Sequence, residues 1–220
     1  MPIALKTEGL SKVYRHATGK PTTALHPLDL EVGVGEHLAV IGPNGSGKTT
    51  LLGLTVGLLV PTSGTVHIFG RSSREASARA RIGYVPEDPV LQPRMRVNEL
   101  LEVCGRLSGL SAADTRDRAG DLLDRFELTP WAGSPLGELS RGMRQAVAMV
   151  QALLHRPGLL LLDEPLTGVD PDARTRLIGI LGETRQAHTA MVVTTHWPEA
   201  FGTLFDRVVT LRRGRLMAEA

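Results

Sequence analysis

Apolar residues along the chain fall into short runs that predict β-strands. In each run the apolar positions alternate with polar ones or follow one another without a break, and glycine, proline or a charged residue closes the run. Short bounded runs of this kind are typical of strands, and the unbroken ones of strands buried on both faces. The predicted strands cover residues 3–10, 28–32, 37–42, 64–70, 82–87, 159–163 and 190–196. The segment 207–220 predicts a hairpin of two short strands around Arg213-Gly214.

A different spacing predicts helices, most of them in the middle of the chain. From residue 97 onward apolar residues recur every three or four positions, which is the period of an amphipathic helix. Ser111 followed three residues later by Asp114 fits a helix start. The predicted helices cover residues 48–56, 97–110, 116–128, 140–155 and 172–186.

Strands that alternate with helices on both sides of an all-helical insert predict an α/β sheet that carries a helical lobe. We expect a single domain, in which residues 1–90 and 155–220 form the α/β lobe and residues 91–154 form the helical lobe. A length of 220 residues suits this organisation, and 42% hydrophobic residues can fill a substantial core. The basic polar run 71–81 is interpreted as the solvated face of a helix.

Composition and charge narrow the class of protein. The formal net charge of only +2 predicts no nucleic-acid partner. The one cysteine, Cys104, cannot form an internal disulfide, is interpreted as a small hydrophobe, and favours a reducing compartment. The first ten residues show no basic region followed by a long apolar stretch, so no signal peptide is expected. The apolar stretch 51–60 falls short of the ~20 residues that a membrane-spanning helix needs.

A glycine-rich loop carries the strongest chemical signal. "GPNGSGKT", residues 42–49, fits the phosphate-loop pattern G-x-x-x-x-G-K-[ST], and it follows a predicted strand and opens a predicted helix. Small residues let backbone N–H groups converge on phosphate oxygens at the positive end of a helix. Lys48 would neutralise the β- and γ-phosphates, and the Thr49 hydroxyl is suited to Mg²⁺. The predicted nucleotide-binding residues here are Gly42, Pro43, Asn44, Gly45, Ser46, Gly47, Lys48, Thr49 and Thr50.

Polar residues follow two further predicted strands. Four leucines precede Asp163 and Glu164, and in α/β sheets ligands bind beyond the carboxyl ends of the strands. Asp163 is suited to hold Mg²⁺, and Glu164 to orient or deprotonate an attacking water. His196 ends the run "AMVVTTH", where it is either a catalytic contact to the γ-phosphate or an ordinary surface or core histidine; both readings stay open.

A second glycine-bearing helix start, "LSRGMRQ" at residues 139–145, and the sequence "GVDP" complete a series of motifs. The order of phosphate loop, "LSRGM", "LLLLDEP", "GVDP" and "TTH" closely resembles that of the ATP-binding cassette (ABC) family of nucleotide-binding domains, over essentially the whole chain. The resemblance implies an ATPase that uses ATP and Mg²⁺. It also implies a P-loop NTPase (RecA-like) core with an antiparallel β part and an inserted α-helical lobe.

The resemblance assigns roles to residues that carry no obvious chemistry. Two such domains pack head to tail in this family, and each ATP lies between the phosphate loop of one and the signature segment of the other. The partner would be an identical chain or a paralogue. Asp170 would lie in the loop that links the two sites, Tyr14 would stack on adenine, and Thr49, Glu87 and Asp163 would contact the metal. The implied signature residues acting in trans are Leu139, Ser140, Arg141, Gly142 and Met143.

Two departures from the commonest family pattern bear on the direction of transport. Arg141 and Met143 replace the third and fifth residues of the usual signature LSGGQ, while Gly142 is kept. Glu87 stands where the family usually has glutamine, and the alternative for Glu87 is a side chain that merely points to solvent. Both departures are similar to those of bacterial drug and lipid exporters and favour export over import.

The resemblance therefore favours the ATPase subunit of an ABC exporter. It would act with separate transmembrane permease subunits, docked on the region 88–102, and so would lie in the cytoplasm on the inner face of the cell membrane. One alternative is a soluble, non-transport ABC ATPase that acts on ribosomes or DNA. Another is a phosphate-loop kinase outside the family, which would have no need for "LSRGM" or "GVDP".

Overall fold

The structure is a computed structural model that describes residues 2–15 and 19–217. The strands are β1 (Ile3–Tyr14), β2 (Thr22–Gly33), β3 (His37–Ile41), β4 (Ser63–Ile68), β5 (Arg71–Ser72), β6 (Ile82–Val85), β7 (Leu159–Asp163), β8 (Ala190–Thr195), β9 (Arg207–Arg212) and β10 (Arg215–Leu216). The helices are α1 (Lys48–Thr55), α2 (Ala76–Arg79), α3 (Val97–Leu107), α4 (Ala112–Arg125), α5 (Arg141–Leu153) and α6 (Pro171–Glu183).

Two sheets organise the molecule. The larger has six strands in the order β10-β9-β3-β8-β7-β6, in which the strands from β9 to β6 run parallel and β10 pairs antiparallel with β9. The smaller is antiparallel, with the order β2-β1-β4-β5. Helices α3, α4 and α5 lie in the chain between β6 and β7. The predicted α/β class, with an antiparallel part and an inserted helical segment, is confirmed.

The central strand β7 explains how the molecule fills its interior. All five of its residues are buried, and their side chains alternate between two hydrophobic clusters. Leu160 and Leu162 belong to the cluster that includes the helical insert, whereas Leu159 and Leu161 belong to the cluster between the two sheets. A parallel strand covered on both faces has no polar face, which accounts for the run of four leucines.

The antiparallel sheet differs in extent from the sequence prediction. Strands β1 and β2 each span 12 residues and pair as far as Tyr14 opposite Thr22, well beyond the predicted segments 3–10 and 28–32. Their pairing contains several register shifts, including one between Leu10 and Lys12. A bulge breaks the two-residue alternation on which a strand prediction depends, so the ends of these strands are hidden in the sequence.

Two helix predictions also need correction. The segment 71–81 was expected to be one solvated helix, but it forms the short strand β5, a turn and the four-residue helix α2. Pairing of Arg71 and Ser72 with β4 takes precedence over helix formation there. Helix α6 ends at Glu183 rather than at residue 186, and His188 adopts a left-handed φ of 54° before β8 begins. No helix among residues 2–15 and 19–217 is both long and apolar enough to span a membrane.

Candidate nucleotide-binding site

The phosphate loop, residues 42–49, joins the end of β3 to the start of α1, as the sequence predicts. Two of its glycines, Gly42 and Gly47, are required by neighbouring backbone. A Cβ atom on Gly42 would lie 2.1 Å from the carbonyl oxygen of Leu211, and one on Gly47 would lie 2.6 Å from that of Ala24. Gly47 also has a φ of 109° as the residue that caps α1. The loop is therefore shaped both by its own conformation and by close contact with two other strands.

The β9–β10 turn supports the same loop by hydrogen bonds. The Gly214 N–H donates to the Ser46 carbonyl oxygen over 2.8 Å, and the Gly214 carbonyl accepts from the His26 N–H, also over 2.8 Å. The turn thus ties the phosphate loop to β2 of the smaller sheet. The sequence predicts the turn at Arg213-Gly214 but contains no signal for this contact.

Lys48 lies beneath the loop and pairs with the carboxylate that follows β7. Its ammonium donates to the Gly42 carbonyl oxygen over 2.8 Å and lies 3.3 Å from Glu164 Oε1. The two side chains are only 7% and 8% exposed. The 3.3 Å contact is an attraction between charges rather than a well-aligned hydrogen bond. The structure therefore brings together two predicted site residues that are more than a hundred positions apart in the sequence.

Glu164 is also held by β8. Its N–H donates to the Thr194 carbonyl oxygen over 3.0 Å, and its φ of 45° is in the left-handed region that non-glycine residues rarely adopt. Its Oε2 accepts from the His196 N–H over 3.3 Å and lies 2.9 Å from His196 Nδ1. Lys48, Glu164 and His196 consequently form one group, with the imidazole 61% exposed and the other two buried. Backbone strain of this kind is concentrated at functional sites.

Asp163 has one free carboxylate oxygen in a buried place. Its Oδ1 accepts a short hydrogen bond from the Thr194 hydroxyl, while its Oδ2 is buried without a hydrogen-bond partner among the described residues. An anionic oxygen without a donor suits a cation, and Mg²⁺ typically takes one or two carboxylates together with phosphate oxygens and waters. Within the described ranges no group of three or more His, Cys, Asp and Glu could hold a metal alone. Asp163 and the exposed Thr49 hydroxyl at the start of α1 fit such a shared site.

Two neighbours of Asp163 were missed by the sequence analysis. Thr194 bonds both Asp163 and Glu164, and its place directly after four apolar residues of a buried strand was the available signal. Tyr84 lies on the adjacent strand β6, where burial and, secondly, the charge of Asp163 raise its pKa to about 12. The Tyr84 phenol is therefore a neutral group at physiological pH.

The signature segment forms a capped helix start on the surface. The Ser140 hydroxyl accepts from the Met143 N–H over 3.2 Å and caps α5, while Leu139 is buried and Ser140 and Arg141 are exposed. The Arg141 side chain lies against Gly168, in the loop that leads from Glu164 to α6. No hydrogen bond or ion pair within the described part of the chain joins residues 139–143 to the phosphate loop.

The remaining predicted site residues lie at the ends of their elements. Asp170 caps α6. Its carboxylate accepts a hydrogen bond from the Ala173 N–H, which lowers the pKa of the Asp170 carboxyl group, so this group is ionised at neutral pH. Tyr14 is the half-buried last residue of β1, with the Lys12 ammonium 5.2 Å from its ring centre. Glu87 is exposed in the bend after β6, and its side chain makes no hydrogen bond or ion pair with the described residues. The roles assigned to these residues stay predictions.

Comparison with known proteins places this geometry among nucleotide-binding cassettes. The sequence profile described as "ABC transporter" matches residues 25–167. An uncharacterized ABC transporter ATP-binding protein of Bacillus subtilis, YxlF, is 37% identical over 212 residues, which cover 96% of this chain and 69% of the relative. A Nod factor export ATP-binding protein I of Cupriavidus metallidurans is 39% identical over 194 residues, 87% of this chain and 64% of the relative.

A drug-resistance relative and two solved structures agree with these matches. The daunorubicin/doxorubicin resistance ATP-binding protein DrrA of Streptomyces peucetius is 35% identical over 218 residues, 98% of this chain and 64% of the relative. The dimeric post-hydrolysis state of the ATP-binding cassette MJ0796, bound to ADP and Pi, superposes with a TM-score of 0.90 at 26% identity, over 98% of this chain and 97% of that chain. An ATP-binding subunit of an ABC transporter gives a TM-score of 0.89 at 32% identity, over 99% and 89% of the two chains. The present chain spans about two thirds of the length of the curated relatives that it matches.

Proposed function

The chain belongs to the ABC transporter family, and on that premise we propose that it binds and hydrolyses ATP to power export through separate membrane subunits. One observation carries the proposal. Lys48, Glu164 and His196, which come from three distant segments, form one group beside the buried free oxygen of Asp163 at the carboxyl edge of the parallel sheet. Each is the residue type that phosphoryl transfer to water needs.

The chain's own residues divide the chemistry among them. Backbone N–H groups of the phosphate loop and Lys48 bind the β- and γ-phosphates of ATP. Asp163 and Thr49 would hold Mg²⁺, which when bound would neutralise phosphate charge, and Glu87 would be a further contact to it. Glu164 orients a water whose oxygen bonds to the γ-phosphorus as the bond from that phosphorus to the β–γ bridging oxygen breaks. The water's proton passes to the Glu164 carboxylate, and His196 holds that carboxylate in place.

The site is completed by a second domain, either an identical chain or a paralogue. Residues 139–143 of one domain cover the ATP on the phosphate loop of the other, Asp170 lies between the two sites, and Tyr14 stacks on adenine. The likeness to the dimeric, nucleotide-bound cassette MJ0796 supports this arrangement. So does the exposure of Ser140 at a helix start that makes no bond to its own phosphate loop.

Export is favoured by the relatives. One of them is named for Nod factor export and another for daunorubicin/doxorubicin resistance, at 39% and 35% identity. The membrane subunits dock on the region 88–102, where Val90 is 96% exposed. Charge complementarity with nucleic acid is absent at a net charge of +2, so the soluble non-transport alternative is not favoured.

A mixing experiment tests the composite ATPase. Lys48→Ala removes the phosphate contact, and Ser140→Arg blocks the covering segment, so each variant alone is expected to be inactive. In a mixed dimer one of the two sites has both halves intact, and we expect part of the ATPase activity to return. Glu127→Gln, an exposed surface change, serves as a control that stays active in every mixture. Demonstrable mixed dimers without activity would contradict the composite site.

Cross-linking tests the membrane partner separately. A Cys104→Ala chain carries a single new cysteine at position 90, or at position 58 as a control, since Val90 and Leu58 are 96% and 70% exposed. A thiol-directed cross-linker is applied to membranes of cells that express each chain. We expect a multi-span membrane protein to be captured from position 90 only. Capture of ribosomal proteins from position 90 instead would support the soluble alternative.

A further inference from the structure

Arg141 is a cation without a partner among residues 2–15 and 19–217. It is the exposed first residue of α5, and its guanidinium makes no hydrogen bond or ion pair with any described residue. Nearby arginines are occupied: Arg144 donates to the Leu139 carbonyl oxygen over 2.5 Å, and Arg174 donates to that of Val169 over 2.8 Å. The Arg141 guanidinium therefore keeps all its N–H donors for a group outside the chain.

The local electrostatics make this cation unusual. The first turn of a helix favours acidic residues, because the exposed N–H groups there carry partial positive charge. The first turn of α5 contains no acidic residue, and Arg141 adds a full positive charge to it. No acidic residue of the first turn offsets this charge, which suits an anion that arrives from outside.

The Arg141 side chain is also fixed in direction. A Cβ atom added to Gly168 would lie 3.2 Å from Arg141 Cδ, 3.3 Å from Nε and 3.5 Å from Cζ, so the side chain lies flat across the glycine. Gly168 has a φ of 73° and lies between Glu164 and Asp170. This contact through Cδ, Nε and Cζ restricts the Arg141 side chain, which lowers the entropy cost of a directed contact.

We propose that Arg141 binds the γ-phosphate of the ATP held by the partner subunit's phosphate loop and stabilises the charge that develops there during hydrolysis. The inference rests on the proposed composite site, since Arg141 adjoins Ser140. A planar guanidinium can donate two parallel hydrogen bonds to phosphate oxygens, and an arginine supplied in trans is an effective stabiliser of phosphoryl transfer. The usual family signature has glycine at this position, so the contact would be particular to chains with a basic third residue.

Mixed dimers with one functional site can locate this role. A Ser140→Arg chain keeps the intact phosphate loop and a Lys48→Ala chain keeps the intact signature, so the single active site uses Arg141 of the Lys48→Ala chain only. Arg141→Gln is placed on either chain in turn, and the maximal ATPase rate is measured. On the Lys48→Ala chain we expect a fall of roughly 10- to 100-fold, the loss of a hydrogen bond between charged groups. Arg141→Lys on that chain should recover part of the rate.

Arg156 supplies the matched control. It is an exposed arginine just beyond the other end of α5, and its side chain makes no bond to the described residues. Arg156→Gln on the Lys48→Ala chain removes the same charge at the opposite end of α5, and the rate should stay at that of the parent pair. Unfolding midpoints of all single chains confirm that each variant folds.

The possible outcomes distinguish the role of Arg141 from the composite site on which it rests. An unchanged rate with Arg141→Gln on the Lys48→Ala chain overturns the role of Arg141 but leaves the composite site standing. An equal fall whichever chain carries Arg141→Gln also overturns it, because the residue would then act within its own chain through Gly168. An inactive parent pair, with mixed dimers present, overturns the composite site and the role of Arg141 together.

Discussion

Replacing Glu164 with glutamine should slow ATP hydrolysis while ATP binding persists. The substitution keeps the shape of the side chain and removes only its charge and basicity. A positioned general base contributes about 10²–10⁴-fold to a rate, which is about 2.7–5.4 kcal/mol of activation free energy. We therefore expect hydrolysis to fall by that factor, while Lys48 and the phosphate loop still bind ATP and ATP-dependent dimers accumulate.

The structure also sets the expected change in stability. Glu164 Oε1 lies 3.3 Å from the Lys48 ammonium, with both side chains buried. Removing one partner of a buried pair costs about 3–5 kcal/mol if the other charge is left alone. Lys48 still donates to the Gly42 carbonyl oxygen over 2.8 Å, so we expect a net loss nearer 2 kcal/mol. For a chain of this size such a loss lowers the unfolding midpoint by about 4–8 °C.

Three measurements check this prediction. Phosphate release gives the hydrolysis rate, size-exclusion chromatography with ATP and Mg²⁺ gives the oligomeric state, and calorimetry gives the midpoint with and without nucleotide. ATP should bring the unfolding midpoint of the Glu164→Gln variant back towards that of the parent chain, because the phosphates give Lys48 a new anionic partner. Glu127→Gln makes the same chemical change at an exposed position, where it removes a surface ion pair with Arg176, and should match the parent chain in hydrolysis rate and oligomeric state. A monomer under all nucleotide conditions, or hydrolysis within tenfold of the parent, would refute the reasoning.

Further predictions concern the edges of the site and the fold. Tyr14→Ala should weaken ATP binding several-fold, since an aromatic face contributes roughly 0.5–1.5 kcal/mol beyond area burial; an unchanged dissociation constant in calorimetry would make Tyr14 a simple strand-end residue. Glu87→Gln should fold and hydrolyse ATP but need more Mg²⁺ for half-maximal rate, and coincident Mg²⁺ titrations would remove Glu87 from the metal site. Burial alone would raise the pKa of Asp206, but the Arg185 guanidinium and the His37 N–H outweigh it and lower that pKa. The ionised Asp206 carboxylate therefore stabilises the fold at neutral pH. This stabilisation is lost as the pH falls below about 4 and passes through the lowered pKa of Asp206 in the folded chain. The denaturant midpoint of Asp206→Asn should consequently fall less with acid than that of the parent chain.

Sequence reasoning succeeded where a local pattern has one physical cause. The four leucines before Asp163 predicted a strand buried on both faces, and β7 is such a strand. Ser111 and Asp114 predicted the start of α4, and the Ser111 hydroxyl accepts from the Asp114 N–H there. The glycines and lysine of residues 42–49 predicted a loop between a strand and a helix, as found. In each case neighbouring residues in the chain were sufficient to specify the structure.

The contacts that give the site its shape could not be read in this way. The Glu164 carboxylate is held by Lys48 and His196, neither of which is near it in sequence. The contact of Arg141 with Gly168 likewise depends on how the start of α5 meets the loop before α6. A sequence pattern reports the residues next to one another along the chain, whereas these pairs are set by the order of strands in the sheet. The lengths of β1 and β2 were hidden for a related reason, the bulges in their pairing.

The support of the phosphate loop by the β9–β10 turn has a consequence for biosynthesis. Gly42 and Gly47 of the loop lie against Leu211 and Ala24, and the Gly214 N–H donates to the Ser46 carbonyl oxygen. A ribosome makes the loop long before Leu211 and Gly214, and nascent chains fold from the amino terminus onward. The growing polypeptide therefore carries an unsupported loop until Gly214 has emerged. Competence to bind ATP is thereby deferred until residues 211–214, far from the loop in sequence, have been translated.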